Sequence, residues 1–173
     1  IAAMDDVIEE IDRKMYENSL GLIDQAVKEV RTISQYLMPG VLIQLGLVAA
    51  IHQLVEKIND TQKLAVHVSN HLKDDRFPSA IEIGVYRVIQ EVLNNMIKHA
   101  SANHIHIELV QKDSNIYITL KDDGKGFDTK VMNQFSGIGW RNIQSRVQML
   151  NGELTIQSEI SKGTNVHVVL PII

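Results

Sequence analysis

Apolar residues recur at intervals of three and four through the first 37 positions: Ile1, Met4, Ile8, Ile11 and Met15, then Leu20, Ile23, Val27, Val30, Ile33 and Leu37. That spacing draws one apolar stripe along a helix and asks for a helical partner. The polar stretch Glu17-Asn18-Ser19 is either a turn between two helices or an exposed face, so the segment reads as a helical hairpin or as one long helix. Pro39-Gly40 then ends or sharply kinks it. The run "LGLVAAIHQLVEKIN" (45–59) predicts a further helix.

From residue 63 the period changes. "KLAVHVSNHL" (63–72) alternates as a strand does, and Pro78-Ser79 opens a helix that contains "VIQEVLNNMIKHA" (88–100). "HIHIELVQKD" and "NIYITLKDD" are two alternating strands joined through Asp113-Ser114-Asn115, a hairpin signal. A glycine-rich segment (124–139) leads to a helix over 139–150, and "GELTIQSEISKGTNVHVVLP" makes a second hairpin turning at Ser161-Lys162-Gly163. The expected fold class is α+β: a mixed or antiparallel sheet covered on one face by helices, after a helical N-terminal segment.

Composition narrows the chemistry. The 173 residues suffice for one ordinary domain and an appendage. A net charge of −4 gives no electrostatic case for nucleic acid, which usually needs a basic patch. The absence of cysteine removes disulfides and cysteine-ligated metals, and suits a reducing compartment. The longest apolar run, "GVLIQLGLVAAI" (40–51), falls short of the ~18–20 residues that span a bilayer and carries Gln44. The start has no signal-peptide pattern and no Met. The expectation is a soluble, cytoplasmic piece of a longer protein, with no nucleic-acid partner and no membrane contact of its own.

Four motifs carry candidate chemistry. In 88–100, Val85, Ile89, Val92 and Met96 form a narrow stripe flanked by Leu93 and Ala100, and Glu91, Asn94, Asn95 and Lys98 lie opposite. A solvated face is the commoner meaning of such a cluster, but it is usually written with Glu and Lys rather than two adjacent Asn. An amide oxygen, a carboxylate and a nearby cation suit hydrated magnesium on a polyphosphate. "DDGKGF" (122–127) sets Asp122 before Gly124 and Gly126, glycines that permit close backbone approach or positive φ, or simply a tight turn. Gly137 and Gly139 precede a helix whose free N–H groups can face phosphate, although a lone Gly-x-Gly is more often a flexible loop. Thr164 in "SKGT" either points inward or pairs across a strand.

In this order and on these elements, the four motifs resemble the ATP-binding domain shared by histidine kinases, DNA gyrase, heat-shock chaperones and mismatch-repair ATPases, over roughly residues 45–173. "QEVLNNMIKHA", "DDGKGF" and "GIGWRNIQSRVQMLNG" are most similar to sensor histidine kinases that signal to helix-turn-helix response regulators. "EVRTISQYLMPGVLIQLGLVAAI" (29–51) resembles the second dimerisation helix of those kinases and the segment leading into their catalytic domain. The resemblance implies a two-layer α/β sandwich, a mixed sheet with helices on one face, preceded by a truncated dimerisation hairpin. Residues 1–40 would be partial dimerisation and phosphotransfer helices, and 41–173 the ATP-binding catalytic domain.

It also implies roles. ATP and Mg2+ are the ligands, with Asn95 holding the magnesium, Lys98 and His99 near phosphate, and Glu91 matching the water-activating residue of ATPase members. Asp122 would accept the adenine amino hydrogen, Gly124 and Gly126 let the backbone pass the base, and Thr164 completes the adenine contact. Gly137 and Gly139 would hinge a lid over the phosphates. The implied partners are a response-regulator receiver domain and, in the full-length protein, a second copy of the chain; the full-length protein has room for a membrane anchor.

Two departures stand out. Trp140 occupies a position where this subfamily usually carries Leu or Met. The phosphoacceptor histidine, followed in this subfamily by Asp or Glu, has no match among the seven histidines: His52, His67, His71, His99, His104, His106 and His167 precede Gln, Val, Leu, Ala, Ile, Ile and Val. The acceptor is expected upstream of Ile1, so the isolated chain should bind ATP without phosphorylating itself. His67 with His71, and His104 with His106, share strand faces but lack a third ligand for a metal. The alternatives are an ATPase of the same superfamily using Glu91 as general base, and a degenerate ATP-binding interaction module.

Overall fold

The computed structural model describes residues 23, 40–61, 64–128 and 138–172. The stripe expected over 1–37 therefore lies outside the described residues, apart from Ile23, a helical and exposed position. Val41–Ile173 form one compact unit. Its elements run α1 (Gly40–Thr61), β1 (Ala65–His71), α2 (Ser79–His99), β2 (His104–Lys112), β3 (Asn115–Asp122), α3 (Ile138–Met149), β4 (Glu153–Ser158) and β5 (Thr164–Pro171).

The five strands make one sheet in the order β1-β2-β3-β5-β4. β1 pairs parallel with β2, and the other pairings are antiparallel, so the sheet is mixed. Two-residue alternation sends Ile105, Ile107 and Leu109 of β2, Ile116, Ile118 and Leu120 of β3, and Val166, Val168 and Leu170 of β5 into the core. The α2 stripe read from the sequence meets them: Val85, Ile89, Val92, Leu93 and Met96 are all buried. Ile143 and Val147 of α3 complete the layer. The Asp113 and Ser161 turns carry positive φ, 54° and 65°, as tight hairpins of this kind require.

Two features were not legible beforehand. The expected helix over 45–59 is broken at Gly46 (φ 85°, ψ −176°), so Leu45 belongs to a short segment before the break. By length and composition α1 is also apolar enough to cross a membrane, contrary to the run-length reading, but Leu42, Leu47, Ala50, Ile51 and Val55 are buried in this unit's core. The second feature is the start of α2. Pro78 offers no side-chain cap; instead Glu82, 2% exposed, reaches back to accept the Phe77 amide at 3.0 Å and the Arg76 guanidinium at 2.9 and 3.1 Å. A carboxylate in the first helical turn also favours the positive end of the helix dipole.

Candidate functional site

The core alternation does not stop at the last apolar residue. In β3 the inward series Ile116, Ile118, Leu120 continues to Asp122, and the series in β5 begins at Thr164. Lys121 pairs with Asn165, so Asp122 and Thr164 stand one step further along the same two strands. Both polar side chains are therefore delivered to the helix-covered face, 2% and 6% exposed. They line a cavity of about 400 Å³ together with Asn95, Met96 and His99 of α2, Ala100 just after it, Lys125, Gly126, Phe127 and Asp128 of the loop after β3, and Trp140 of α3.

One Asp122 oxygen, Oδ1, accepts the Gly124 amide at 2.8 Å; the other, Oδ2, is buried without a hydrogen-bond partner. Burial pushes the carboxyl above its usual range, and the Gly124 amide and neighbouring Thr164 offset this only in part. Ser158 Oγ accepts the Phe127 amide at 2.9 Å and donates to the Gly163 carbonyl at 3.0 Å. The Thr164 hydroxyl lies 3.0 Å from Ser158 Oγ and beside the Asp122 carboxyl. Thr164 also lines the cavity.

Gly124 and Gly126 do different work. A Cβ on Gly124 would strike the Ala100 carbonyl at the end of α2, where the loop is tied by the Lys125 amide at 2.8 Å. Gly126 has φ 56°, and a Cβ there would strike the Glu159 carbonyl. The loop is thereby pressed between α2 and the β4–β5 hairpin. Gly139 abuts α2: a Cβ on it would lie 2.8 Å from Glu91 Oε1 and 3.2 Å from Asn95 Oδ1. Asn95 Nδ2 is buried and unpartnered.

The sequence-derived candidates separate into groups. Asn95, His99, Asp122, Gly126 and Thr164 line one cavity; Glu91 and Gly139 flank Asn95; Gly124 supports Asp122. Lys98 is exposed and does not line the cavity. At 100° per residue, His99 and Met96 lie to one side of Asn95 while Lys98 and Glu91 lie to the other, and the cavity opens on the first side. Gly137 lies outside the described residues. Sequence reasoning did not place Met96, Ala100, Lys125, Phe127, Asp128 or Trp140 at the cavity. For Met96 and Ala100 the signal existed: they continue the apolar stripe of α2 beyond Val92. Among the described residues no group of three His, Asp or Glu side chains forms a metal site.

A mixed sheet covered by helices, with a buried acid and a neutral amide lining one cavity, has the geometry of an α+β sandwich suited to a small ligand. Residues 80–173 match the family described as histidine kinase-, DNA gyrase B- and HSP90-like ATPases, and the chain belongs to that family. Its described unit is the ATPase-type catalytic domain of the histidine kinases.

The chain is 33% identical over 171 residues to the signal transduction histidine-protein kinase/phosphatase DegS of Brevibacillus brevis, covering 98% of this chain and 42% of that protein. It therefore spans less than half the length of that relative. In fold it is similar to the histidine kinase domain of a blue-light activated histidine kinase from Erythrobacter litoralis (TM-score 0.59, 22% identity, 70% of this chain and 58% of that one). It is also similar to the Acinetobacter baumannii histidine kinase AdeS (TM-score 0.57, 14% identity, 90% and 81%).

Proposed function

We propose that residues 41–173 bind magnesium ATP and present its γ-phosphoryl group to a histidine on the dimerisation helices of a longer sensor kinase, from which it passes to a receiver-domain aspartate. The carrying observation is the buried, unpartnered Oδ2 of Asp122, a residue that lines the cavity. A carboxylate oxygen there accepts the exocyclic amino hydrogen of adenine, whereas guanine offers a carbonyl at the corresponding edge and leaves the acceptor unmet. The Thr164 hydroxyl, lining the same cavity, supplies a second polar contact beside it.

Asn95, which lines the cavity, and Glu91, one turn back on α2 and outside the cavity lining, offer the amide and carboxylate oxygens that magnesium takes, and the unpartnered Asn95 Nδ2 fits a phosphate or water oxygen. When bound, magnesium would neutralise charge on the polyphosphate. His99 lines the cavity near Asn95 and suits a phosphate contact; Lys98 would need to swing inward to join it. Gly137 and Gly139 are proposed to flank a phosphate-covering segment. The division of the chain at Gly40/Val41 supports reading residues 1–40 as the tail of the dimerisation helices. A homodimer, a receiver-domain partner and a cytoplasmic setting belong to the same proposal.

Calorimetric titration with ATP and GTP, with and without magnesium, tests it. Adenine-selective, magnesium-enhanced binding is expected, lost in Asp122→Ala and, for the magnesium enhancement alone, in Asn95→Ala. Equal binding of GTP, or wild-type affinity in Asp122→Ala, would refute the adenine assignment. Steady phosphate release abolished by Glu91→Gln would replace phosphotransfer with ATP hydrolysis.

A further inference from the structure

Trp140 is the only tryptophan in the chain. It stands in the first turn of α3, half-buried, packed against the hydrophobic core and also lining the cavity. The residue before it, Gly139, abuts Glu91 and Asn95 of α2, so the backbone that carries the indole is held close to that helix. Phe127 brings a second ring to the same cavity from the loop after β3, its amide fixed by Ser158 Oγ at 2.9 Å. Met96 and Ala100 complete an apolar wall around the acid Asp122.

Aromatic rings contribute little to holding phosphate or ribose hydroxyls but strongly favour the flat face of a base. Stacking tolerates any base, because every base has a π-face; discrimination then falls to the group that reads the base edge. Resting on the nucleotide reading above, we propose that Trp140 is a purine-contacting residue whose indole, with Phe127 as second ring, sets how tightly the base is held, while Asp122 sets which base is accepted. The two properties are separable: a change at Trp140 alters affinity and leaves adenine preference in place, and a change at Asp122 removes the preference.

With one tryptophan, intrinsic fluorescence reports on this position alone. The chain is titrated with ADP and magnesium, which avoids turnover, and emission is followed beside calorimetry. A saturable change in emission with the calorimetric Kd is expected. Trp140→Leu should weaken ADP binding about tenfold, and Trp140→Phe by less, both still preferring ADP to GDP and melting cooperatively. Trp140→Phe keeps the test intact if the smaller side chain disturbs α3. Wild-type ADP affinity in both variants, or unchanged wild-type emission at calorimetric saturation, would overturn the role of Trp140. A wild-type chain that shows no calorimetric binding of ADP would instead overturn the nucleotide reading on which it rests.

Discussion

Asp122 gives one carboxylate oxygen to the Gly124 amide at 2.8 Å and keeps the other buried without a partner. The first contact holds the side chain in place; the second is an unmet acceptor that a ligand can satisfy. The arrangement has a thermodynamic cost in the free protein, and that cost is measurable.

Burial holds the folded-state pKa of Asp122 above its ordinary value of 3.8. Folding is then favoured by protonation: this contribution is full below the unfolded pKa and is lost as pH rises through the raised folded one. Near neutral pH the ionised carboxylate destabilises the free chain. Asp122→Asn keeps an oxygen for the Gly124 amide and is expected to raise the melting temperature near pH 7, with little gain in acid, while abolishing selective ATP binding. An unchanged or lower melting temperature near pH 7 would count against the unmet buried charge.

Asp123, the next residue, shifts in the opposite direction. The backbone amide and ring of His104, each at 2.9 Å, and the Asn103 amide at 2.8 Å lower its pKa to about 2. Its stabilising contribution is present above the unfolded value of 3.8 and is lost as pH falls toward about 2. Melting temperatures of the wild type should therefore fall more steeply than those of Asp123→Asn below pH 4. Because the pair is exposed, the difference should be small and shrink in high salt.

Glu82→Ala is expected to destabilise the unit by about 1–3 kcal/mol, since the buried Phe77 amide loses its acceptor. Glu82→Gln keeps an acceptor for the amide and should fall between the two. Urea denaturation decides this, and equal stability of all three proteins would mean the α2 start is held by something else.

Gly126→Ala places a side chain at φ 56° and drives it into the Glu159 carbonyl. A loss of about 2 kcal/mol or more is expected, together with weaker nucleotide binding, because the same loop carries Lys125, Phe127 and Asp128 to the cavity. Full affinity in a variant that is destabilised but folded would detach the loop from the ligand.

Period is what made most of the fold readable. The stripe Val85, Ile89, Val92, Met96 and the alternation through Ile116, Ile118 and Leu120 each describe one face of one element, and burial followed. Asp122 was legible as the acid of "DDGKGF" at the end of an expected strand, whereas its burial emerged from the alternation of β3. Convergence was not legible: Phe127 and Trp140 meet at one cavity because α3 packs on α2, a relation no local pattern encodes. Glu82 carried no signal in the sequence, since its burial depends on Arg76 and Phe77 folding back over it. The break at Gly46 was hidden inside an uninterrupted apolar run, because a glycine within such a run does not by itself reveal its φ.

At the edge of the sheet, Asn59 of α1 donates to the Val66 carbonyl at 3.1 Å and accepts the Val66 amide at 2.8 Å. A side-chain amide there imitates the backbone of a sixth strand for the length of one rung. Open sheet edges invite strands from other molecules, and an occupied rung removes one of the places where such pairing can start. The asparagine thus guards a boundary as well as fastening a helix.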